Sequence, residues 1–290
     1  MLYFKKIELT DIDVYNSFLK DNHEFSCENS FVNLLVWQCS YNNMMAVCDN
    51  QLIIKSGKGD NESFRLPFGD DFALGMKLIT EYCGEKKPQF WVQEGPRLDY
   101  FKQSFNGDYT LTENRDAFDY IYKRTDLAEL SGKKYHSKRN HISAFSKKYN
   151  WEYRTVSKEN LADIKECCEQ WYIENSERLD NFMLCEKNGV NTILENMEKL
   201  KVKGGAIYVE GKAVAFTLGS PINQDVFDIH IEKALPEYAT AYTLINREFA
   251  KNELENYKYI NREDDLGLEG LRKAKLSYKP EILLKKYSCK

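Results

Sequence analysis

The spacing of apolar and polar residues along the chain predicts short strands interleaved with amphipathic helices. Two apolar runs, residues 44–48 and 52–55, flank Asp49 and Asn50, a pair that favours a tight hairpin turn. Apolar residues then recur at helical spacing over residues 72–82. Strands and helices that alternate in this way are typical of α/β and α+β proteins, so we expect mixed sheets flanked by helices.

The second half of the chain repeats the order of the first. Apolar runs at residues 206–209 and 213–219 surround Glu210 and Gly211, another tight-turn pair, and similar strand and helix patterns follow. The halves therefore resemble diverged copies of one domain-sized unit, although many α/β chains show a similar order of elements. A duplication predicts an N-terminal domain over 1–128 and a C-terminal domain over 129–290.

Composition limits the possible partners. With 42% hydrophobic residues among 290, the chain can bury one large core or two ordinary ones. Its longest apolar stretch, residues 31–37, is far shorter than the roughly 20 residues that cross a bilayer, so we expect no integral membrane segment. The net charge of −4 gives no overall indication of nucleic-acid binding.

The eight cysteines form no Cys-x-x-Cys pair, and the four histidines are not beside them at the spacing of zinc ligands. We therefore predict no metal site. Scattered cysteines of this kind are most simply reduced thiols, which favours the cytoplasm as the compartment.

One local stretch is basic. Residues 132–141, followed by Lys147 and Lys148, predict a helix that includes Lys138 and Arg139. Its apolar residues recur at helical spacing, which indicates one face directed at the core. The charges either stay in water on a linker helix or form a track for the phosphates of tRNA, whose binding would weaken with salt.

Paired acids follow a predicted strand near the C-terminus. Asp264 and Asp265 open a helix, where a carboxylate either caps the helix or accepts a proton from an attacking amine. Two adjacent acids allow both roles. His230, on the strand before another helix, is a further candidate catalytic residue, with ordinary packing as the alternative.

Basic residues accompany these acids. Arg272 and Lys275 are three positions apart and therefore share a helical face. We expect them to bind a phosphate, a carboxylate or a tRNA 3′ end. The alternative is a solvated helix face on which they pair with Glu269. Arg262 begins the same segment. We predict that residues 262–272 line a pocket beneath two splayed strands, with Arg262 among the substrate-binding residues.

The C-terminal run Tyr259-Ile-Asn-Arg-Glu-Asp-Asp-Leu-Gly-Leu-Glu-Gly-Leu-Arg-Lys-Ala-Lys-Leu-Ser-Tyr-Lys-Pro280 resembles the signature of the phosphatidylglycerol lysyltransferase C-terminal-domain family. The run Gly132-Lys-Lys-Tyr-His-Ser-Lys-Arg-Asn140 resembles that family's linker. The family's Asn-Leu-Gly-x-x-x-Leu motif is matched from Asp265, with Asp in place of Asn. The resemblance implies tandem N-acetyltransferase-like domains, as in Fem peptidyltransferases, which take amino acids from aminoacyl-tRNA.

The donor is open at this level. Acetyltransferases of this fold bind coenzyme A pyrophosphate at a glycine-containing turn, but residues 233–242 contain no glycine and add Glu237. Thr240 and the helix N-terminus remain able to bind an anion. Both acyl-CoA and aminoacyl-tRNA are therefore candidate donors, and no cofactor is assigned with certainty.

These observations lead to the hypothesis of an acyl- or aminoacyltransferase that acts on an amine or hydroxyl of a small-molecule or peptide acceptor. The acceptor would attack directly, deprotonated by Asp264, Asp265 or water. The alternative is a non-catalytic module that binds a small ligand or a peptide on a degenerate acetyltransferase fold.

Overall fold

The computed structural model describes residues 1–104, 108–178 and 180–290, which form two mixed sheets flanked by helices. The strands are β1 (Lys5–Lys6), β2 (Met44–Cys48), β3 (Gln51–Ser56), β4 (Ser63–Phe64), β5 (Phe68–Gly69), β6 (Phe90–Gln93), β7 (Leu111–Glu113), β8 (Asp119–Lys123), β9 (Trp151–Thr155), β10 (Lys203–Val209), β11 (Lys212–Pro221), β12 (Val226–Ala234), β13 (Tyr259–Asn261), β14 (Ile282–Leu284) and β15 (Lys286–Cys289). The helices are α1 (Ile12–Leu19), α2 (Phe31–Val36), α3 (Gln38–Tyr41), α4 (Phe72–Cys83), α5 (Pro96–Ser104), α6 (Arg124–Glu129), α7 (His136–Lys148), α8 (Leu161–Glu174), α9 (Asn181–Glu195), α10 (Ala241–Asn252) and α11 (Glu269–Leu276).

Each sheet contains one parallel contact in an otherwise antiparallel arrangement of the described strands. The first sheet has the order β1-β2-β3-β4-β6-β15-β7, with β5 also paired to β3, and its parallel pair is β4 and β6. The second sheet has the order β14-β8-β13-β12-β11-β10-β9, and its parallel pair is β12 and β13. The prediction of mixed sheets flanked by helices is confirmed.

Each sheet contains a strand from the other half of the sequence. Strand β8, from the first half, lies between β13 and β14 of the second sheet, while the C-terminal β15 lies between β6 and β7 of the first. The segment 282–287, which the apolar pattern predicts as one strand, is therefore divided at the exposed Lys285. The division at 128/129 stays a prediction, and neither side of it holds a complete sheet.

Both predicted hairpin turns are confirmed. Asp49 and Asn50 have φ angles of 49° and 57°, and Glu210 and Gly211 have φ angles of 50° and 81°. Positive φ at both central residues is the geometry of a type I′ turn, whose twist matches that of the flanking strands. The sequence predicts a helix over 192–201, whereas the observed helix α9 spans Asn181–Glu195. It begins there because the side chain of Asp180 accepts a hydrogen bond from the N–H of Met183 and caps the N-terminus.

The halves pack against each other through a shared apolar core. Helix α2 of the first half contacts α9 of the second, and Gly189 permits the close approach, since a Cβ there would lie 2.5 Å from Val36 Cγ1. Leu34 and Ile193 are fully buried in the same cluster. In the described part of the chain, no helix has both the length and the apolar character needed to span a bilayer.

A disulfide adds a covalent link at this contact. Cys39 on α3 is bonded to Cys185 on α9, and their Cα atoms lie 6.0 Å apart, a normal separation for a disulfide. The expectation that all eight cysteines are reduced is therefore wrong for these two. Sequence spacing did not indicate the pair, because the two helices meet only through the fold.

We expect Cys39→Ser to lower the free energy of unfolding by about 2–4 kcal/mol under oxidising conditions, because the bond closes a long loop in the unfolded chain. Urea unfolding with and without reductant measures the change, and Cys83→Ser, at a half-buried free thiol, is the control. A wild-type transition that does not respond to reductant would contradict the expectation.

Candidate active site

The second sheet opens between its two parallel strands. β12 and β13 pair only from Val226 to Asp228, opposite Tyr259 to Asn261, and β12 then continues to Ala234 paired with β11 but not with β13. The register between β11 and β12 also shifts at this level, which leaves His230 without a paired residue. Crevices at the carboxyl ends of adjacent parallel strands are common ligand sites in α/β proteins.

His230 lies inside this opening with both ring nitrogens in polar contact. Its Nε2 is 2.8 Å from Ser220 Oγ and 3.5 Å from Ser30 Oγ. Its Nδ1 is 3.2 Å from Glu263 Oε1 and 3.4 Å from Asp228 Oδ2. Because only 1% of its side chain is exposed, the ring contacts solvent almost nowhere.

A cleft of about 420 Å³ lies beside this site, and its wall includes Ser30 and Ser220 but not His230 itself. Residues of both halves line it, among them Ser30 of the first half and Ser220 and Asn223 of the second. The two serines link the cleft to His230 through hydroxyl contacts. The predicted lining segment, Arg262–Arg272, is not part of the wall of this cleft.

The two adjacent acids have separate environments. Asp265 is fully buried and accepts hydrogen bonds from Tyr120, Arg115 and Arg272, and from the backbone N–H of Gly267. Burial acts to raise its pKa, but the bonds from Arg272 and Tyr120 outweigh burial and lower the pKa to about 2. Asp265 is therefore a permanent anion that anchors the loop before α11.

Asp264 is the acid that titrates near neutrality. Its side chain is half-buried, and its Oδ1 accepts only a long bond, 3.3 Å, from the N–H of Leu266. Burial raises its pKa to about 7, although the positive charge of Lys286 acts in the opposite direction. A carboxyl group with this pKa exchanges a proton at physiological pH, which suits a general base.

The backbone between β13 and Asp264 directs Glu263 toward His230. Glu263 has a φ of 54°, which non-glycine residues seldom adopt, and its N–H donates to Asn261 Oδ1 at 2.7 Å. Its carboxylate also accepts from Asn33 Nδ2 of α2 at 3.0 Å. Sequence analysis missed Glu263 and Asp228, although an acid two residues before His230 in an apolar strand was a usable signal.

Two predicted substrate-binding cations meet at one aromatic ring. The Nζ of Lys138 lies 3.8 Å from the ring centre of Tyr278, and the guanidinium carbon of Arg262 lies 4.9 Å from it. Burial, and then the charge of Arg262, lower the pKa of Lys138 to about 8. Arg262 also bridges the opening, since its Nη2 is 2.7 Å from Glu232 Oε1 on β12.

Lys275 and Arg272 both form hydrogen bonds or ion pairs with neighbouring groups of the protein. Lys275 Nζ donates to the backbone carbonyls of Arg262 and Asp264, which holds the loop against α11. Arg272 contacts Asp265 and, at 2.6 Å, Asp116, rather than Glu269.

Two further predicted binding residues have local contacts. Arg139 donates to the carbonyls of Leu130 and Gly132 and so fixes the chain before α7. Thr240, at the start of α10, is exposed, and its hydroxyl does not cap the helix. The substrate-binding roles assigned to all these cations and to Thr240 stay predictions.

The basic helix has the predicted apolar stripe. Ile142 and Phe145 of α7 are buried, while Lys133, Lys147 and Lys148 at its two ends are exposed. Lys138 is the exception among its lysines, because its side chain turns into the protein. The phosphate track on the exposed lysines stays a prediction.

A buried ion cluster joins the two sheets beside the opening. Lys286 of β15 is fully buried, and its Nζ lies 2.6 Å from Asp119 of β8 and 2.8 Å from Glu28. Burial acts to lower the pKa of Lys286, but the two carboxylates outweigh it and raise the pKa well above the ordinary value. The Nζ is also 3.4 Å from Cys27 Sγ.

Solved structures share this architecture. A conserved protein of unknown function from Bacteroides thetaiotaomicron is 36% identical, with a TM-score of 0.90 over 100% of this chain and 99% of that one. The L-PGS of Bacillus licheniformis is 16% identical, with a TM-score of 0.64 over 96% of this chain and 90% of that one. FemX is 8% identical, with a TM-score of 0.61 over 99% of this chain and 96% of that one. The likeness to the last two shows the fold alone, which is that of the N-acetyltransferase-like Fem transferases.

Sequence comparison gives the family. An uncharacterized protein of Mycoplasmoides gallisepticum is 24% identical over 198 residues, which cover 68% of this chain but only 62% of that protein. The family model described as phosphatidylglycerol lysyltransferase, C-terminal, matches residues 20–290. The chain is therefore a member of the phosphatidylglycerol lysyltransferase C-terminal family.

Proposed function

We propose that the protein transfers an aminoacyl group from aminoacyl-tRNA to an amine or hydroxyl group of a small-molecule or peptide acceptor. The observation that carries this proposal is the opening between β12 and β13, where His230 and Glu263 lie beside a titrating carboxyl group, Asp264. Family membership supports transferase chemistry, since the family is described by a lysyltransferase.

The start of α10 favours aminoacyl-tRNA over acyl-CoA. The N–H groups of Tyr242 and Thr243 donate to the carbonyls of Ala239 and Thr240, at 3.3 Å and 3.2 Å. These donors are therefore unavailable to a pyrophosphate, which needs free N–H groups at a helix N-terminus. The exposed lysines of α7 provide charge for the phosphates of a tRNA instead.

The chemistry assigned to the site is direct attack on an ester. The nitrogen or oxygen of the acceptor forms a bond to the carbonyl carbon of the aminoacyl group while Asp264 accepts its proton. The bond from that carbon to the ribose oxygen of tRNA then breaks, and the proton passes to the ribose oxygen. Asp265 remains ionised and holds Arg115 and Arg272, so we assign it to positioning.

The remaining groups have binding roles in this proposal. Lys138 and Arg262 supply positive charge near Tyr278 for a phosphate or carboxylate. His230 faces the cleft through Nε2 and the serine hydroxyls, which makes it a contact for the acceptor or the aminoacyl group.

A second candidate is a non-catalytic binding module. The ion pair from Arg262 to Glu232 and the polar contact of His230 Nδ1 with Glu263 bridge the opening and partly fill it. A small ligand or a peptide in the cleft would then be bound without reaction.

A transfer assay separates these functions. The protein is incubated with tRNA charged with labelled amino acids and with an extract of small molecules and peptides as acceptors, and in parallel with labelled acetyl-CoA. We expect label to move from tRNA to an acceptor, and binding of tRNA to weaken steeply between 50 and 200 mM salt, values chosen for the salt dependence of phosphate contacts. Thermal stabilisation by tRNA, but not by acetyl-CoA, is the accompanying signal. Transfer from acetyl-CoA alone would overturn the donor assignment, and binding without any transfer would favour the module.

A further inference from the structure

Among the residues that the structure describes, two groups of three potential metal ligands lie at the junction of the sheets. One consists of Cys27, Glu28 and Asp119, and the other of Asp228, His230 and Glu263. In each group the candidate ligand atoms lie within 4.8 Å of one another. The groups differ in what neutralises their charge.

A lysine already supplies the cation of the first group. The Nζ of Lys286 lies within 3.4 Å of an atom of each of its members, at 2.6 Å from Asp119 and 2.8 Å from Glu28. The ammonium group therefore occupies the position that a metal ion would take. We expect no metal ion to bind there.

The second group has no such cation. Among the described residues, no lysine or arginine forms an ion pair with Asp228 or Glu263, and their only ion-pair partner is His230. Asp228 is 0% exposed, and neither of its oxygens has a hydrogen-bond partner. A buried carboxylate without a partner is costly, since burial removes its hydration without replacement. The carboxylate is directed at the ring of His230, 3.4 Å away.

We propose that Asp228, His230 and Glu263 bind a divalent first-row metal ion of the Zn²⁺ class, through two carboxylate oxygens and His230 Nδ1. Metal-ligand distances of about 2.0–2.2 Å in tetrahedral geometry place neighbouring ligand atoms about 3.4 Å apart. The Nδ1 of His230 is 3.4 Å from Asp228 Oδ2 and 3.2 Å from Glu263 Oε1. One imidazole with two carboxylates is a ligand set that suits Zn²⁺ and its neighbours.

Side chains that hydrogen-bond to two of these ligands, His230 and Glu263, hold them in orientation, as is usual around protein metal sites. With Nδ1 bound to the ion, Nε2 carries the proton and donates to Ser220 Oγ at 2.8 Å. Asn33 Nδ2 donates to Glu263 at 3.0 Å and fixes its carboxylate. The ion therefore makes His230 a hydrogen-bond donor on the side that faces the cleft.

Ligand spacing in the sequence indicates two of these ligands but not the third. Asp228 and His230 are two residues apart on β12, and a regular strand would direct both to one face. Glu263 lies on another segment, and its left-handed backbone brings the third carboxylate to 3.2 Å from His230 Nδ1.

Calorimetric titration with Zn²⁺ tests the proposal. The full chain is dialysed against EDTA and then against metal-free buffer, and Zn²⁺, Mn²⁺ and Mg²⁺ are titrated separately. We expect one Zn²⁺ per chain, with the thermal midpoint raised by bound ion. Asp228→Asn, which keeps the shape and removes the charge, is expected to weaken Zn²⁺ binding about 100-fold or more.

Asp225→Asn is the matched control, because Asp225 precedes the same strand and pairs with Lys258 at the surface. It should bind Zn²⁺ like the wild type. If Asp228→Asn does not fold, Glu263→Gln gives the same comparison. Absence of saturable Zn²⁺ binding, or equal binding by Asp228→Asn and wild type, overturns the proposal. The readout is binding, so the result does not depend on the transferase proposal.

Discussion

Lys286→Met is expected to lower the free energy of unfolding by about 3–5 kcal/mol, because it leaves the buried carboxylate of Asp119 without its cation and removes one of the two positive charges near Glu28. Lys286 is 0% exposed and its ammonium group contacts Asp119 and Glu28. Burial acts to raise the pKa of Glu28, yet the charges of Lys286 and Arg65 lower it to about 2, so this partner is ionised at neutral pH. Urea unfolding followed by circular dichroism measures the loss.

Two comparisons make this result specific. Lys285→Met, one residue earlier, removes an exposed lysine that pairs with Glu113 at 3.4 Å, and it should leave the urea midpoint close to that of the wild type. Asp119→Asn should cost less in the Lys286→Met background than in the wild type, since the unpaired charge is then removed. Additive costs of the two substitutions would show that the buried pair is not coupled.

The sequence predicts the individual strands and turns better than it predicts which strands pair in each sheet. Each type I′ turn, at Asp49–Asn50 and at Glu210–Gly211, is favoured by the types of its two central residues, so the local sequence indicates it. The exchange of β8 and β15 between sheets depends on contacts between distant segments. Lys286 on β15 meets Asp119 on β8 only after both strands have crossed, and nothing local to either residue indicates the contact.

Local sequence also does not distinguish the roles of adjacent residues in the candidate site. Asp264 and Asp265 are identical in type and adjacent, yet one titrates near neutrality and the other is held ionised. Bonds from Arg272 and Tyr120 to Asp265 cause the difference, and Tyr120 lies far from the acids in sequence. The motif indicated the segment, whereas the division of roles required the packed structure.

His230 was found from its strand, but its partners were not. Asp228 and Glu263 reach it because β12 and β13 diverge and because Glu263 adopts a positive φ. A bulged strand and a left-handed residue change which face a side chain occupies, and simple alternation cannot predict either.

Asp264→Asn is expected to reduce the rate of aminoacyl transfer about 10²- to 10⁴-fold, the usual contribution of a general base. Asparagine keeps the size of the side chain and its bond from the N–H of Leu266, but it cannot accept the proton. In the wild type, the rate should fall about tenfold per pH unit below 7, because only ionised Asp264 is active and its pKa is about 7. Glu269→Gln, at an exposed acid on α11, should leave the rate unchanged.

Stability gives a second test of the same carboxyl group, independent of any substrate. Its pKa is about 7 in the folded chain and about 3.9 in an unfolded one, so the folded state binds the extra proton between these values. The contribution of Asp264 to stability is therefore present below about pH 4 and is lost as the pH rises to 7. Asp264→Asn should reduce this slope in a series of urea midpoints, and a smaller slope remains because burial also raises the pKa of Asp119. A slope as steep in the variant as in the wild type would assign the titration to other groups and would remove the physical basis for Asp264 as the base.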